Sequence, residues 1–192
     1  FDMHDLEPEI ERMLERKVWI KKGAYLIIDQ TEAMVTIDVN TGRYVGKSDQ
    51  ESTILNTNLE AAKEIARQIR LRDLGGLIVI DFIDMQNEEH KRQVLRALEK
   101  HIERDNANCH ISEISSLGLV QMTRKRTRES LEHILCSSCP TCGGRGSVKT
   151  AETVCYEIFR EILREARQFA SQQLLVLAAQ EVVDLLLDEE ST

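Results

Sequence analysis

Two short runs rich in β-branched residues set the first constraint on this chain: Met34-Val35-Thr36-Ile37-Asp38-Val39-Asn40 and Gly76-Leu77-Ile78-Val79-Ile80-Asp81. Their length and composition read as strands, and each carries an aspartate towards its C-terminal end. An ionised carboxylate within such an apolar stretch is costly unless something polar or positive compensates it. Alternate residues of a strand share a face. Thr36, Asp38 and Asn40 therefore point one way, and Val35, Ile37 and Val39 the other. Asp81 shares its face with Val79 and Leu77. If the two strands are neighbours, Asp38 and Asp81 converge, with the Asn40 carboxamide alongside. Such a set suits Mg²⁺, which takes one or two carboxylates and completes its shell with water and phosphate oxygens. An ion so held neutralises charge on a phosphate and activates water. A strand-end Asp also serves as a plain cap or turn residue, and Asp84, in Phe82-Ile83-Asp84-Met85, reads as that structural kind.

The rest of the pattern predicts an α/β fold, a mixed β-sheet flanked by helices. An amphipathic helix over 5–17 precedes two short strands, 18–20 and 24–28, around the turn Lys21-Lys22-Gly23. The strand at 33–40 follows Asp29-Gln30-Thr31-Glu32 as the second arm of a hairpin. Residues 41–51 read as a polar loop. A helix over 58–72, capped by Asn58, buries Leu59, Ala62, Ile65, Ala66 and Ile69. Gly75-Gly76 ends it. The strand that follows, 77–82, is apolar on both faces, which predicts a central strand covered by helices. A helix over 88–104 and a second β region over about 109–122 complete a first unit of about 1–135. Beyond a cysteine- and glycine-rich link at 136–149, residues 150–192 read as the beginning of a small α/β domain. It has a helix marked by Val154, Ile158, Ile162 and Phe169, a strand candidate at Leu174-Leu175-Val176-Leu177, and a last helix at about 182–187. The chain opens Phe1-Asp2-Met3, without an initiator Met, and so reads as a piece of a longer protein.

Net charge is −8, which by itself opposes broad attraction to a phosphate backbone. The cations are unevenly spread, however. Arg124, Lys125, Arg126 and Arg128 crowd into Thr123-Arg124-Lys125-Arg126-Thr127-Arg128, either as a solvated face or as contacts for phosphates. Aromatic residues are 4% of the chain, so the core must rest on Leu, Ile, Val and Ala. No apolar run reaches the length of a membrane span, and no signal-peptide pattern opens the chain. Five cysteines, three of them clustered, do not make a disulfide framework in a core-rich chain. A reducing, cytoplasmic compartment is expected.

Cys136-Ser137-Ser138-Cys139-Pro140-Thr141-Cys142-Gly143-Gly144-Arg145-Gly146 holds two overlapping Cys-x-x-Cys pairs. Such a pair aims two sulfurs at one tetrahedral ion. A closed zinc site needs four ligands. The remainder come from Cys136 with His133 or His110, or from a symmetric pair on a second copy of the chain about a two-fold axis. A thiol cluster without metal and a redox pair are the other readings; the redox one is weakened by the Gly-Gly-Arg-Gly that follows. Cys109 and Cys155 read as buried spectators.

Taken in order, Ile37-Asp38-Val39-Asn40-Thr41-Gly42, Asn56-Thr57-Asn58-Leu59-Glu60-Ala61-Ala62, Ile69-Arg70-Leu71-Arg72-Asp73-Leu74-Gly75-Gly76 and Ile80-Asp81-Phe82-Ile83-Asp84-Met85 resemble the ribonuclease E/G family. Met122-Thr123-Arg124-Lys125-Arg126-Thr127-Arg128-Glu129-Ser130 is closer to its ribonuclease G branch. Cys139-Pro140-Thr141-Cys142-Gly143-Gly144-Arg145-Gly146 is similar to the family's zinc-link. The resemblance implies a deoxyribonuclease-I-like catalytic subdomain at 1–135, a zinc-link at 136–149 and the start of the small domain at 150–192. It implies a Mg²⁺-dependent, single-strand-specific endoribonuclease of RNA processing and decay, leaving 5′-phosphate and 3′-hydroxyl ends. Asp38 and Asp81 match the metal-binding pair, and Asn40 the residue that supports it or orients the scissile phosphate. Cys139 and Cys142 match zinc ligands whose other half comes from a second protomer. Single-stranded RNA and a second copy of the chain are the implied partners, Mg²⁺ and Zn²⁺ the implied cofactors. The alternative is a non-catalytic, zinc-bridged oligomerisation module that docks RNA through Arg124, Lys125, Arg126 and Arg128 and needs no ion at Asp38. A different metal-dependent phosphoesterase on a similar sheet is a third reading.

Overall fold

The computed structural model describes residues 6–42, 50–115, 118–169 and 173–189. They fall into two units, Phe1–Cys136 and Ser137–Thr192. Residues 43–49, most of the expected loop at 41–51, and residues 116–117 of the expected second β region lie outside the described residues.

The first unit is organised by one six-stranded mixed sheet. Helix α1 (Leu6–Leu14) leads into β1 (Lys17–Trp19), a single 3₁₀ turn at Lys21–Gly23, β2 (Tyr25–Gln30) and β3 (Val35–Asn40). The β2–β3 turn is tied by Thr31, whose hydroxyl donates to the Met34 carbonyl at 2.8 Å. Helix α2 (Gln50–Leu71) crosses over to β4 (Gly76–Asp81), followed by α3 (Glu88–Ile102), β5 (Cys109–Ile111), β6 (Leu119–Arg124) and the short α4 (Leu131–Leu135). The strand order is β1-β2-β3-β4-β6-β5. β3 and β4 run parallel, and the other neighbouring pairs are antiparallel. Asn87 starts α3 by accepting the Glu89 N–H at 2.8 Å, which satisfies one of the donors a helix start leaves open.

Helices α2 and α3 lie on the same side of the sheet. Ala62, Ile65 and Ile69 of α2, with Val94, Leu98 and Ile102 of α3, meet Leu26, Ile28, Ile37, Val39, Ile78, Ile80, Val120 and Met122 in one core. Burying each Leu or Ile there contributes roughly 1.5–3 kcal/mol. The sheet's other face is different. Tyr25, Ile27, Asp29, Thr36, Asp38, Asn40, Leu77, Val79, Asp81, Gln121 and Thr123 point that way, and none of them is buried. β4 is central in the strand order, as its composition predicts, but it is covered on one side only. A sheet with antiparallel pairs can leave a face to solvent, and this one does.

Helix α2 begins eight residues before the expected start, at Gln50. Asn58 is therefore no cap. It sits in the helix interior, fully buried, in phase with Ala61, Ala62 and Ile65. The helix ends where expected but not on a glycine. The Leu74 N–H bonds the Ile69 carbonyl at 2.9 Å and the Asp73 N–H bonds that of Arg70 at 3.3 Å, the paired bonds of a Schellman end. Its left-handed position is held by Asp73, at φ 50°. A non-glycine residue there is strained by about 1–2 kcal/mol.

Arg124 explains how that strain is held. Its guanidinium is buried against Asp73 at 2.6 Å, Asp105 at 2.8 Å and the Leu74 carbonyl at 3.0 Å. Arg124, expected from sequence among the phosphate contacts, has its guanidinium engaged inside the fold. Arg124→Ala leaves two carboxylates without their buried partner, and we expect it to lower unfolding free energy by roughly 3–5 kcal/mol in denaturant titration. Burial pushes the Asp105 carboxyl up, but the hydrogen bonds from Arg124 and the Ala107 N–H, with the attraction of Arg124, bring it below its ordinary value. The stabilisation is thus present above the unfolded-state pKa of about 4 and lost as pH falls through the lowered native value. Asp105→Asn is expected to flatten that acid limb of the stability–pH curve; an unchanged slope would exclude this origin.

In the second unit, α5 (Ala151–Gln168) starts on Thr150, which accepts the Thr153 N–H at 3.3 Å. It packs on α6 (Gln180–Glu189) through buried Cys155 and Val182, with the Cys155 thiol 3.6 Å from the Val182 carbonyl. Leu174–Leu177, expected as a strand, has no regular structure and is exposed throughout. No partner strand lies among the described residues of this unit, and an isolated strand leaves its backbone unpaired. No helix of the described residues is long and apolar enough to cross a membrane.

Candidate metal centre

The parallel pairing of β3 with β4 sets Thr36 opposite Val79 and Asp38 opposite Asp81. Directly paired residues share a face, so both carboxylates stand side by side at the C-terminal ends of their strands, on the open face. Asn40, two residues on, donates its Nδ2–H to Asp38 Oδ2 at 2.8 Å. That bond fixes the orientation of the Asp38 carboxylate. Burial, the Asp38 carboxylate and then the Asp84 carboxylate push the Asp81 carboxyl above its ordinary value. Among the described residues no cation pairs with either member. Two oxygen donors that repel each other, one already oriented by an amide, fit a hard divalent cation completing its shell with water and phosphate. No cluster of three or more His, Cys, Asp or Glu side chains able to hold a metal occurs among the described residues, so protein ligation at this point is limited to the pair.

A residue that sequence reading placed elsewhere holds this site together. Asn58 donates to the Ile83 carbonyl at 2.8 Å and accepts the Ile83 N–H at 3.1 Å. The carboxamide thereby satisfies both backbone groups of a residue two positions beyond Asp81, just where β4 ends. The available signal was an amide in the middle of an apolar helical stripe, which is costly unless both its ends are bonded.

The basic run is not beside the carboxylates. Arg124 pairs with Gly76 at the start of β4, whereas Asp81 at its end pairs with Leu119. Five residues of strand separate the two levels, about 16 Å. Lys125, Arg126 and Arg128 are exposed. Arg128 reaches back to Asp73 at 3.0 Å. The Arg126 side chain lies across Gly75-Gly76, where a Cβ on Gly75 would come within 2.6 Å of its Cγ. The double glycine thus admits an arginine as well as ending a helix.

At the link, Cys139-Pro140-Thr141-Cys142 forms a tight turn. The Gly143 N–H bonds the Cys139 carbonyl at 2.8 Å, and the Gly146 N–H points at Cys142 Sγ at 3.4 Å. Gly143, Gly144 and Gly146 all have positive φ, from 59° to 85°, which lets the backbone curl its N–H groups towards sulfur. Backbone N–H bonds from Cys142 and Thr141 and the Cys142 thiol hold the Cys139 thiol below its ordinary pKa. Donors aimed at a cysteine pair with a depressed thiol fit a thiolate-ligated ion, and the two sulfurs amount to half a tetrahedral set. Cys136, His110 and His133 belong to the first unit.

The chain thus combines a mixed sheet bearing a strand-end aspartate pair, a glycine-rich cysteine turn and a small helical unit. The model of the ribonuclease E/G family matches residues 1–127, and that of the RNase E/G thioredoxin-like domain matches residues 138–191. The chain belongs to the ribonuclease E/G family. It is 59% identical to ribonuclease G of Salmonella typhimurium over 191 residues, all of this chain and 39% of that protein. Ribonuclease E of Escherichia coli is 42% identical over 99% of this chain and 18% of its own length. A chloroplastic ribonuclease E/G-like protein of Arabidopsis thaliana is 45% identical over 86% of this chain and 17% of its own. The chain thus spans about two-fifths of the ribonuclease G relatives it matches.

The raised Asp81 carboxyl carries a stability consequence. An acid that protonates more readily folded than unfolded destabilises the fold once ionised, above its raised pKa, and the penalty vanishes as pH falls below the unfolded value. In metal-free buffer at pH 7, Asp81→Asn is therefore expected to raise the melting temperature above that of the parent. A lower or unchanged value would show that burial and the neighbouring carboxylates do not penalise the ionised Asp81 in the fold.

Proposed function

We propose that the chain is the catalytic part of a Mg²⁺-dependent, single-strand-specific endoribonuclease of RNA processing and decay, with 5′-phosphate and 3′-hydroxyl products. The observation that carries the reading is the in-register Asp38–Asp81 pair, oriented by Asn40 on an open sheet face, in a member of this family. When bound there, a divalent cation supplies the positive charge that a phosphodiester needs as it is hydrolysed. Asp38 and Asp81 hold the ion, and Asn40 keeps the Asp38 carboxylate turned towards it. Asn58 acts at one remove, as a positioning residue that anchors the end of β4. Lys125, Arg126 and Arg128 serve RNA at a distance from the reacting centre, on a strand that runs along the sheet rather than across one point of it. Arg124 is left out of this set because it is saturated by Asp73 and Asp105. Cys139 and Cys142 hold one structural Zn²⁺ together with the same pair from a second copy of the chain. A cytoplasmic setting agrees with free thiols. Similarity to ribonucleases G and E disfavours the non-catalytic docking module.

Two experiments check this. With intact parent protein, Asp38→Asn and Asp81→Asn should each reduce cleavage of A/U-rich single-stranded RNA by at least about a thousandfold, while leaving the far-ultraviolet circular dichroism unchanged. Cleavage at the parental rate by either variant would remove the metal assignment. Native mass spectrometry with and without chelator should give half a zinc per chain in an even-numbered oligomer. One zinc per monomer would point instead to Cys136 as a ligand.

A further inference from the structure

The open face of the sheet carries more than the carboxylates. Its registers put Trp19 opposite Tyr25 and Tyr25 opposite Asn40. In the next row they put Lys17 opposite Ile27, Ile27 opposite Asp38 and Asp38 opposite Asp81. Directly paired residues share a face, so two aromatic rings and an ammonium stand in the two rows that end at Asn40 and at the carboxylate pair. β1 and β3 are two strand spacings apart, about 10 Å. Trp19 is 62% exposed. Its ring meets that of Tyr25 edge-on, with centroids 5.4 Å apart and planes at 63°. Lys17 Nζ lies 4.0 Å from the Trp19 centroid and 3.7 Å from that of Tyr25. It has no carboxylate partner among the described residues, whereas neighbouring Arg16 is taken by Asp29 through both oxygens.

We propose that Trp19 and Tyr25 form a stacking subsite for unpaired nucleobases, with Lys17 placed for the adjoining phosphate, one step along the sheet from the Asp38–Asp81 pair. The proposal rests on the endoribonuclease reading for its substrate, and on the face geometry for its location. A chain with so few aromatic residues leaves its single tryptophan uncovered on an edge strand, beside Lys17, which lies over both rings and pairs with no carboxylate among the described residues. That combination of ring face and ammonium is how single strands are held without regard to sequence. A duplex keeps its base faces stacked inside the helix, so the rings can take only single-stranded or unpaired bases.

Because Trp19 is the chain's one tryptophan, its fluorescence reports the subsite directly. The 192-residue chain carrying Asp81→Asn, so that RNA stays intact, is titrated with a short A/U single strand, the same sequence as a duplex, and an abasic strand of equal length. The expected result is quenching by the single strand, and little by the duplex or the abasic strand. By anisotropy of labelled single strand, Trp19→Ala and Tyr25→Ala should each weaken binding about tenfold, Trp19→Phe much less, and Lys17→Ala should reduce the salt dependence. Equal quenching by the abasic strand, unchanged affinity in Trp19→Ala and Tyr25→Ala, or no binding of the single strand overturns the subsite. Parental cleavage by an intact protein carrying Asp81→Asn would instead sink the metal reading and leave quenching intact, so the two failures are separable.

Discussion

The parallel pairing of β3 with β4 sets the geometry of the candidate metal centre. The carboxylates meet because Asp38 and Asp81 occupy paired positions, and a shift of one residue would turn every Asp81-side residue of β4 over, sending Asp81 into the core and Ile80 to solvent. The apolar alternation of both strands makes that shift costly: Ile37, Ile78 and Ile80 are all essentially buried, and exposing them would forfeit several kcal/mol. The same pattern that builds the core therefore sets the spacing of the candidate metal ligands. Helix α2 adds a second lock, since Asn58 fastens the backbone just past Asp81.

Charge in this chain is divided by depth. Arg124 is buried and neutralised, and it stabilises the strained Asp73 at the end of α2. Lys125, Arg126 and Arg128, its immediate neighbours, are exposed. One short stretch thus combines an internal brace with a surface patch. The strand period explains why: β6 places Val120, Met122 and Arg124 on the covered side, and the chain leaves the sheet immediately afterwards.

Much of this was legible in the residues themselves. The strands at Val35–Asn40 and Gly76–Asp81 follow from β-branched alternation, and their faces follow from counting by two. Helix α3 announces itself through the apolar spacing of Val94, Leu98 and Ile102. What could not be read was tertiary. Asn58 looks like a cap in sequence because asparagine usually is one; its bonds to Ile83 exist only once α2 lies on β4. The bare face of β4 was hidden by Leu77 and Val79, whose apolarity suggests a cover that no described helix of the first unit provides. Arg124 could not be told from Lys125 until Asp73 and Asp105, distant in sequence, closed around it. Leu174–Leu177 has strand composition but no neighbour to pair with.

Both margins of the sheet are minimal. β1 and β5 are three residues each, against six for the strands between them. A long bare margin is a template for other chains to add to, which is the route to fibrils. Here each margin offers only a few backbone groups, and the ammonium of Lys17 stands at one of them. The described sheet, open on one face, thereby offers little border for another chain to extend.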